Sequence, residues 1–349
     1  MRMEQSTHIL SHTKGERRFS PNASIKDQYG RTFNYLRIAV NDVCNLRCIY
    51  CMPEDGNKFC DKKRLITQNE IYKIINISAE LGVNKIRFTG GEPLLHPHIV
   101  SFIKMASQTP RIDYVNITTN AIYLNRNALK LKQAGLIGIN ISLDTLDPKK
   151  YALITRRDLF NYAMEGLKTA LLTGFLSVKI NVVVLRGFND NELINFVKLT
   201  KNNSITVRFI ELMPFDAHQI WKTGKFVSAA HIKQIILKEF SEMKPANGTR
   251  TEHYIYQIPG HLGKVAIIPA FSRNLCSGCN RIRITADGKI RNCLFANEEY
   301  NLLDKMRNGC SDDELKGILT GTMWKKPLDG WSNQKNYKKV RKSMSQIGG

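Results

Sequence analysis

From residue 35 onward, short runs of apolar, often β-branched residues alternate with longer stretches whose apolar positions recur every three to four residues. Side chains alternate between two faces along a strand and repeat every 3.6 residues along a helix, so this pattern predicts strand–helix units around a parallel sheet. Strands are predicted over residues 35–40, 85–89, 114–118, 138–143, 178–185 and 206–212. These runs are almost continuously apolar, as strands covered on both faces should be. One intervening helix, over 68–81, carries its own boundaries. Thr67 with Glu70 three residues on reads as a capping box, Ile71, Ile74, Ile75 and Ala79 make one apolar face, and Gly82 suits a C-terminal cap.

Six such units predict an α/β fold, an incomplete (β/α)6 TIM-like barrel with a lateral opening and an active site at the C-terminal strand ends. After Met213 the alternation stops. A helix over 229–240, strands over 254–258 and 265–268, and a hairpin turn at Asp287-Gly288 between Ile284 and Ile290 are predicted in a C-terminal region that closes the open side. Residues 1–24 are polar, with Arg2, Lys14, Arg17 and Arg18 beside Glu4 and Glu16, and read as a disordered extension. The acids argue against the alternative, an organellar address. The domain expectation is therefore 1–24 extension, 25–213 barrel and 214–349 C-terminal region with a basic tail.

With 349 residues, 42% of them hydrophobic, the chain can bury a full-sized core. The net charge of +22 would suit nucleic acid, a membrane surface or an anionic small molecule. No nucleic-acid-binding signature accompanies it, so nucleic acid is not an expected partner. No apolar run reaches the ~18 residues of a membrane span. Eight cysteines without a secretory signal point to a reducing compartment, taken here as cytoplasmic, and to metal use in place of disulfides.

Three of those cysteines, Cys44, Cys48 and Cys51, follow the first predicted strand at x3 and x2 spacing. A 4Fe-4S cluster usually takes four cysteines, so three would leave one iron open to a small molecule. Zinc, which prefers four closed ligands, and plain core thiols remain the alternatives at this point. A second triad, Cys276, Cys279 and Cys293, brackets Arg281 and Arg283; zinc completed by Cys310 or His261 is its alternative. Arg37, Arg87 and Lys179 sit in or near the start of apolar strands, where a charge is costly unless it meets a partner.

The loop Cys44-Asn45-Leu46-Arg47-Cys48-Ile49-Tyr50-Cys51 resembles that of the radical S-adenosylmethionine enzymes, and Gly90-Gly91-Glu92-Pro93 resembles their cofactor-binding turn. The stretch from Cys276 through Asn280-Arg281-Ile282-Arg283 to Cys293, with the terminal Ile347-Gly348-Gly349, is similar to the GTP 3′,8-cyclases of molybdenum cofactor biosynthesis. That resemblance implies a radical lyase with two 4Fe-4S clusters and S-adenosylmethionine as cofactors. Cys44, Cys48 and Cys51 would ligate one cluster and Cys276, Cys279 and Cys293 the other, leaving Cys60 and Cys310 unassigned. Tyr50, Gly91, Ser142 and Met213 would contact S-adenosylmethionine, while Arg37, Arg87, Thr118, Lys179, Arg281, Ile282 and Arg283 would bind GTP. Arg281, Arg283, Gly348 and Gly349 would take part in catalysis. The implied partners are GTP, an electron donor, the enzyme that makes cyclic pyranopterin monophosphate downstream and, as an assembly, a homodimer. The chain departs from the family pattern at Val43, where an Arg is common, and at Asn41, where a Thr is more usual.

The alternatives are a radical enzyme acting on RNA or a peptide, which the charge would favour, and a zinc-dependent nucleic-acid-binding module.

Overall fold

Strand β1 (Tyr35–Ala39) sets the architecture, because every later element is placed by its distance from this strand across one sheet. The structure is a computed structural model that describes residues 24–56, 60–213, 223–246, 254–272, 276–296, 298–330 and 343–347. The predicted extension, the basic stretch at 335–342 and the terminal Gly348-Gly349 fall almost wholly outside these.

Chain order runs from β1 through helix α1 (Gln68–Glu80), β2 (Lys85–Thr89), α2 (Ile99–Gln108), β3 (Tyr114–Thr119), α3 (Leu124–Gln133) and β4 (Gly138–Ser142). It continues with α4 (Pro148–Thr155), α5 (Phe160–Thr173), β5 (Ser177–Val184), α6 (Leu193–Lys198) and β6 (Ile205–Glu211). All six predicted strands are present within a residue or two of their expected bounds. The capping box at α1 forms as read: Thr67 Oγ1 accepts from Glu70 N, and Glu70 Oε2 accepts from Thr67 N at 2.7 Å.

Beyond β6 come α7 (Ala229–Glu239), β7 (Lys244–Pro245), β8 (Tyr254–Gln257), β9 (Lys264–Ile268), β10 (Arg281–Ile284), β11 (Lys289–Arg291), β12 (Tyr300–Asn301), α8 (Leu302–Arg307) and α9 (Asp312–Trp324). The expected hairpin joins β10 to β11 with Ile284 opposite Ile290. Sequence alone missed the placement of these strands. The sheet order is β12-β11-β10-β1-β2-β3-β4-β5-β6-β9-β8-β7, and β10 and β9 run parallel to β1 and β6. Two C-terminal strands therefore cover both edges of the six-stranded barrel and raise its parallel core to eight, and the sheet does not close.

The physical reason is edge protection. A six-stranded sheet would present unpaired N–H and C=O groups along β1 and β6, and strands rich in Ile and Val satisfy them. The faces divide by side chain. Along β5, Val178, Ile180, Val182 and Val184 are buried toward the helices, while Lys179, Asn181 and Val183 share the half-buried inward face.

Candidate active site

The inward face of the sheet opens at its C-terminal strand ends into a cavity of about 410 Å³. Its walls are built from the two cysteine triads, which lie about 230 residues apart in the chain (Cys276 minus Cys44 is 232) yet face the same space.

The first triad lies on the loop after β1. Two backbone bonds zip this loop to the end of α4, Arg47 N to Thr155 O and Ile49 N to Ile154 O, each 2.9 Å. Tyr50 Oη donates to Asp144 Oδ2 at 2.6 Å, Asn120 Nδ2 donates to Asn45 Oδ1 at 2.7 Å, and Leu46 N–H points at Cys44 Sγ at 3.4 Å. The turn after β2 presses against the same loop: Gly91 N donates to Asn41 O and Glu92 N to Val43 O. A Cβ on Gly91 would stand 2.1 Å from Val43 O, and Gly90 adopts φ +144°, so neither position tolerates a side chain. Glu92, fully buried below, accepts from Thr119 Oγ1 and Asn120 N at 2.7 Å and from Leu94 N at 3.0 Å, and burial lifts its carboxyl to about 7.

The second triad occupies the opposite wall. Gly330 N–H donates to Cys276 Sγ at 3.1 Å, and Arg31 Nη1 reaches Cys276 O at 2.7 Å. Although burial pushes the Cys279 thiol up, Lys326, Arg281 and Arg283 bring it down to about 7. At the first triad, burial and the charge of Glu92 push Cys44 up to about 12, and burial pushes Cys51 up to about 11.

These donor sets fit iron-sulfur clusters. At the second triad the cations beside Cys279 favour its thiolate, the form that ligates metal, while burial raises the Cys276 thiol; at the first triad burial opposes ionisation of all three cysteines. Among the described residues no three ligating side chains converge on one point, as a single ion would require. Separate corners of a cube make no such demand.

Between the walls runs a row of guanidinium groups. Arg283 pairs in register with Arg37 on β1, and Arg37 with Arg87 on β2, so three arginines stand side by side on neighbouring strands. Burial, together with Arg37 and Arg281, presses the Arg283 guanidinium well below its usual value. Arg87 Nε is buried with no hydrogen-bond partner among the described residues. Like charges crowded out of water are costly, and an anion relieves both penalties at once.

Residues 38–200 match the Radical SAM superfamily and 205–330 match Molybdenum Cofactor Synthesis C. The chain is 46% identical to the GTP 3′,8-cyclase of Chlorobaculum tepidum, over 93% of this chain and 97% of that one. The chain belongs to the GTP 3′,8-cyclase family. It is also 39% identical to the protein named GTP 3′,8-cyclase, mitochondrial, of Arabidopsis thaliana, over 93% of this chain and 83% of that one. Among solved structures, Streptococcus suis SuiB shares the fold, with a TM-score of 0.59 at 15% identity, covering 88% of this chain and 69% of that one.

Against the residues expected for a cyclase, the cavity gathers all six cysteines, Arg37, Arg87, Thr118, Arg281 and Arg283, and Tyr50, Gly91, Ser142 and Met213. It does not gather Lys179 or Ile282. Lys179 shares the inward face of β5 but lies two residues before Asn181, which lines the cavity, and Ile282 is wholly buried on the other face of β10. Gly348 and Gly349 lie outside the described residues. The preceding segment does reach the site: Met344 and Ser345 line the cavity, and Met344 N donates to Cys51 O at 3.3 Å.

Sequence reasoning missed Arg208, Asp144, Glu211, Lys326 and Arg31, all of which line the cavity. Arg208 was detectable, being a charge inside the apolar strand β6 just as Arg37 and Arg87 are in theirs. Asp144 and Glu211 carry only a weak signal, as acids at or just beyond strand ends. Arg31 and Lys326 carry no local signal, because their partners lie far away in the chain.

Proposed function

We infer that the chain converts GTP to 3′,8-cyclo-7,8-dihydro-GTP, the opening step of molybdopterin biosynthesis. The observation that carries this reading is the juxtaposition of two three-cysteine walls across one cavity with an in-register arginine row. Cys44, Cys48 and Cys51 would hold one 4Fe-4S cluster, and Cys276, Cys279 and Cys293 the second, each with an open iron. When bound, the first cluster and S-adenosylmethionine supply the 5′-deoxyadenosyl radical that removes the ribose C3′ hydrogen.

The chain's own residues bind, orient and shield. Tyr50, Gly91, Ser142 and Met213 would seat S-adenosylmethionine against the first wall. Arg37, Arg87, Thr118, Lys179, Arg281 and Arg283 would hold GTP, with Ile282 contributing through its backbone alone. Guanidinium forks match phosphate oxygens and purine acceptors, and fixing a ligand at two separated points holds its middle in place. Gly348 and Gly349 continue a segment already seated beside Cys51, which supports a catalytic role for the tail. An electron donor, the downstream cyclic pyranopterin monophosphate synthase and a second copy in a homodimer complete the proposed partners. Among the described residues no helix is long and apolar enough to cross a membrane. We place the enzyme in the cytoplasm.

The test is isotopic. Anaerobically reconstituted protein given S-adenosylmethionine, a reductant and GTP deuterated at C3′ should yield deuterated 5′-deoxyadenosine. Unlabelled 5′-deoxyadenosine from an iron-replete protein would overturn the assignment of substrate and abstracted atom.

A further inference from the structure

Glu211 is the last residue of β6 and is completely buried. Its carboxylate accepts four hydrogen bonds. Oε1 takes Ala229 N at 2.6 Å and Ser272 Oγ at 2.5 Å, and Oε2 takes Phe271 N and Ser272 N at 2.7 Å each. A buried carboxylate is tolerated only when its lone pairs are occupied, and here every donor comes from another part of the chain.

The positions of those donors matter more than their number. Parallel pairing of β6 with β9 extends to Ile210 opposite Ile268, and Glu211 grips the chain just past the end of that ladder. One grip falls on Phe271-Ser272, four residues ahead of Cys276. A second falls on Ala229, the first residue of α7. Glu211 itself lies two residues ahead of Met213, on the wall proposed for S-adenosylmethionine. One carboxylate thus joins the final barrel strand to the segment that leads into the second cysteine site.

We propose that Glu211 is a positioning residue that sets the second cysteine site, through residues 271–272, at its distance from the S-adenosylmethionine wall. This rests on the function proposed above. It adds that the spacing between the two walls is held by hydrogen bonds from the barrel and not by the cysteine loops alone.

Glutamine at this position has nearly the same shape but replaces one acceptor oxygen with a donor NH₂. Whichever way the amide turns, its NH₂ faces a backbone N–H, at Ala229 or at Phe271 and Ser272, and the neutral amide also weakens every bond that the carboxylate accepted, so the hold on 271–272 loosens in either orientation. The experiment uses full-length, anaerobically reconstituted protein and follows two spectroscopic titrations of the reduced clusters by electron paramagnetic resonance. One follows the change caused by S-adenosylmethionine, the other the change caused by GTP. In Glu211→Gln the GTP midpoint should rise about tenfold or more, the loss typical of a buried charge-assisted hydrogen bond, while the S-adenosylmethionine midpoint stays within about threefold.

Both midpoints unchanged, or both raised together as general loosening would do, overturns the proposal. If Glu211→Gln is not recovered folded, Ser272→Ala decides, because it removes a single hydroxyl donor. A GTP midpoint raised about threefold with S-adenosylmethionine unaffected supports the role, and no change overturns it. Unmodified protein that responds to S-adenosylmethionine but not to GTP would overturn the proposed function and this inference with it. A failure confined to the variants removes only the role of Glu211.

Discussion

Arg87 shows how much one residue can carry at this site. It stands in register with Arg37, lies over the Tyr35 ring at 5.2 Å, and holds its Nε buried with no hydrogen-bond partner among the described residues. A cation so placed awaits an anionic ligand. Replacing Arg87 with Ala should weaken GTP binding roughly 10- to 100-fold, the worth of one or two charge-assisted bonds, as read by calorimetric titration of the reconstituted protein. Arg87→Lys should recover only part of the loss, since an ammonium cannot present a bidentate fork. Guanosine, which lacks the phosphates, should bind both variants like the unmodified protein. Equal GTP affinity in Arg87→Ala would remove the arginine row from the phosphate site. At this scale the sequence was readable wherever a residue broke the rule of its own element, as a charge in an apolar strand does. It was unreadable for Lys326, whose Nζ donates to the distant Asn292 O while its cation lies over Phe33 at 5.3 Å, because neither contact is local.

The elements were legible for a different reason. Strand runs and the Thr67 capping box are local statements, and the fold repeats them almost unchanged. What local pattern could not assign was partnership: residues 265–268 read as a strand and Asp287-Gly288 as the turn of a hairpin, but which edge each would join depends on β6 and β1, far away in sequence. The connection between β2 and α2 gives this scale its own prediction. His96 Nδ1 accepts from His98 N at 3.2 Å and its ring packs on Phe102 at 4.7 Å. Burial, with the nearby His98, lowers its pKa to about 4 from an ordinary 6.5. The neutral form is therefore the folded form. Its contribution is complete above pH 6.5 and declines as pH falls toward 4, where the unfolded chain binds the proton more readily. Urea unfolding between pH 7.5 and 5 should show stability falling with acidity, and His96→Asn, which keeps an acceptor for His98 N, should flatten that slope. An identical slope in the variant would show that other groups produce it.

For the whole molecule, the consequence of the strand order is that the barrel and the C-terminal region are not separable bodies. Residues beyond 213 supply β9 to one edge of the parallel sheet and β10 to the other, so the polypeptide leaves the barrel and returns to complete both sides. The buried contacts follow the same path: Arg31 reaches the carbonyls of Cys276, Leu328 and Pro327, and Arg307 forms an ion pair with Glu70 at the start of α1. A chain ending at Met213 would expose the unpaired edges of β1 and β6 together with the apolar faces that cover them. Exposed edges of that length template association with other chains. Residues 1–213 expressed alone should therefore be aggregated or lack cooperative unfolding, although the superfamily match ends within them. The full chain should unfold in one transition, with far-ultraviolet circular dichroism and tryptophan fluorescence giving coincident midpoints, because Trp324 on α9 reports the C-terminal region while the dichroism is dominated by the barrel. Two resolved midpoints, or a soluble, cooperatively folding 1–213 fragment, would show that the barrel stands without its C-terminal strands. The two cysteine walls would then be held together only by the loops between them.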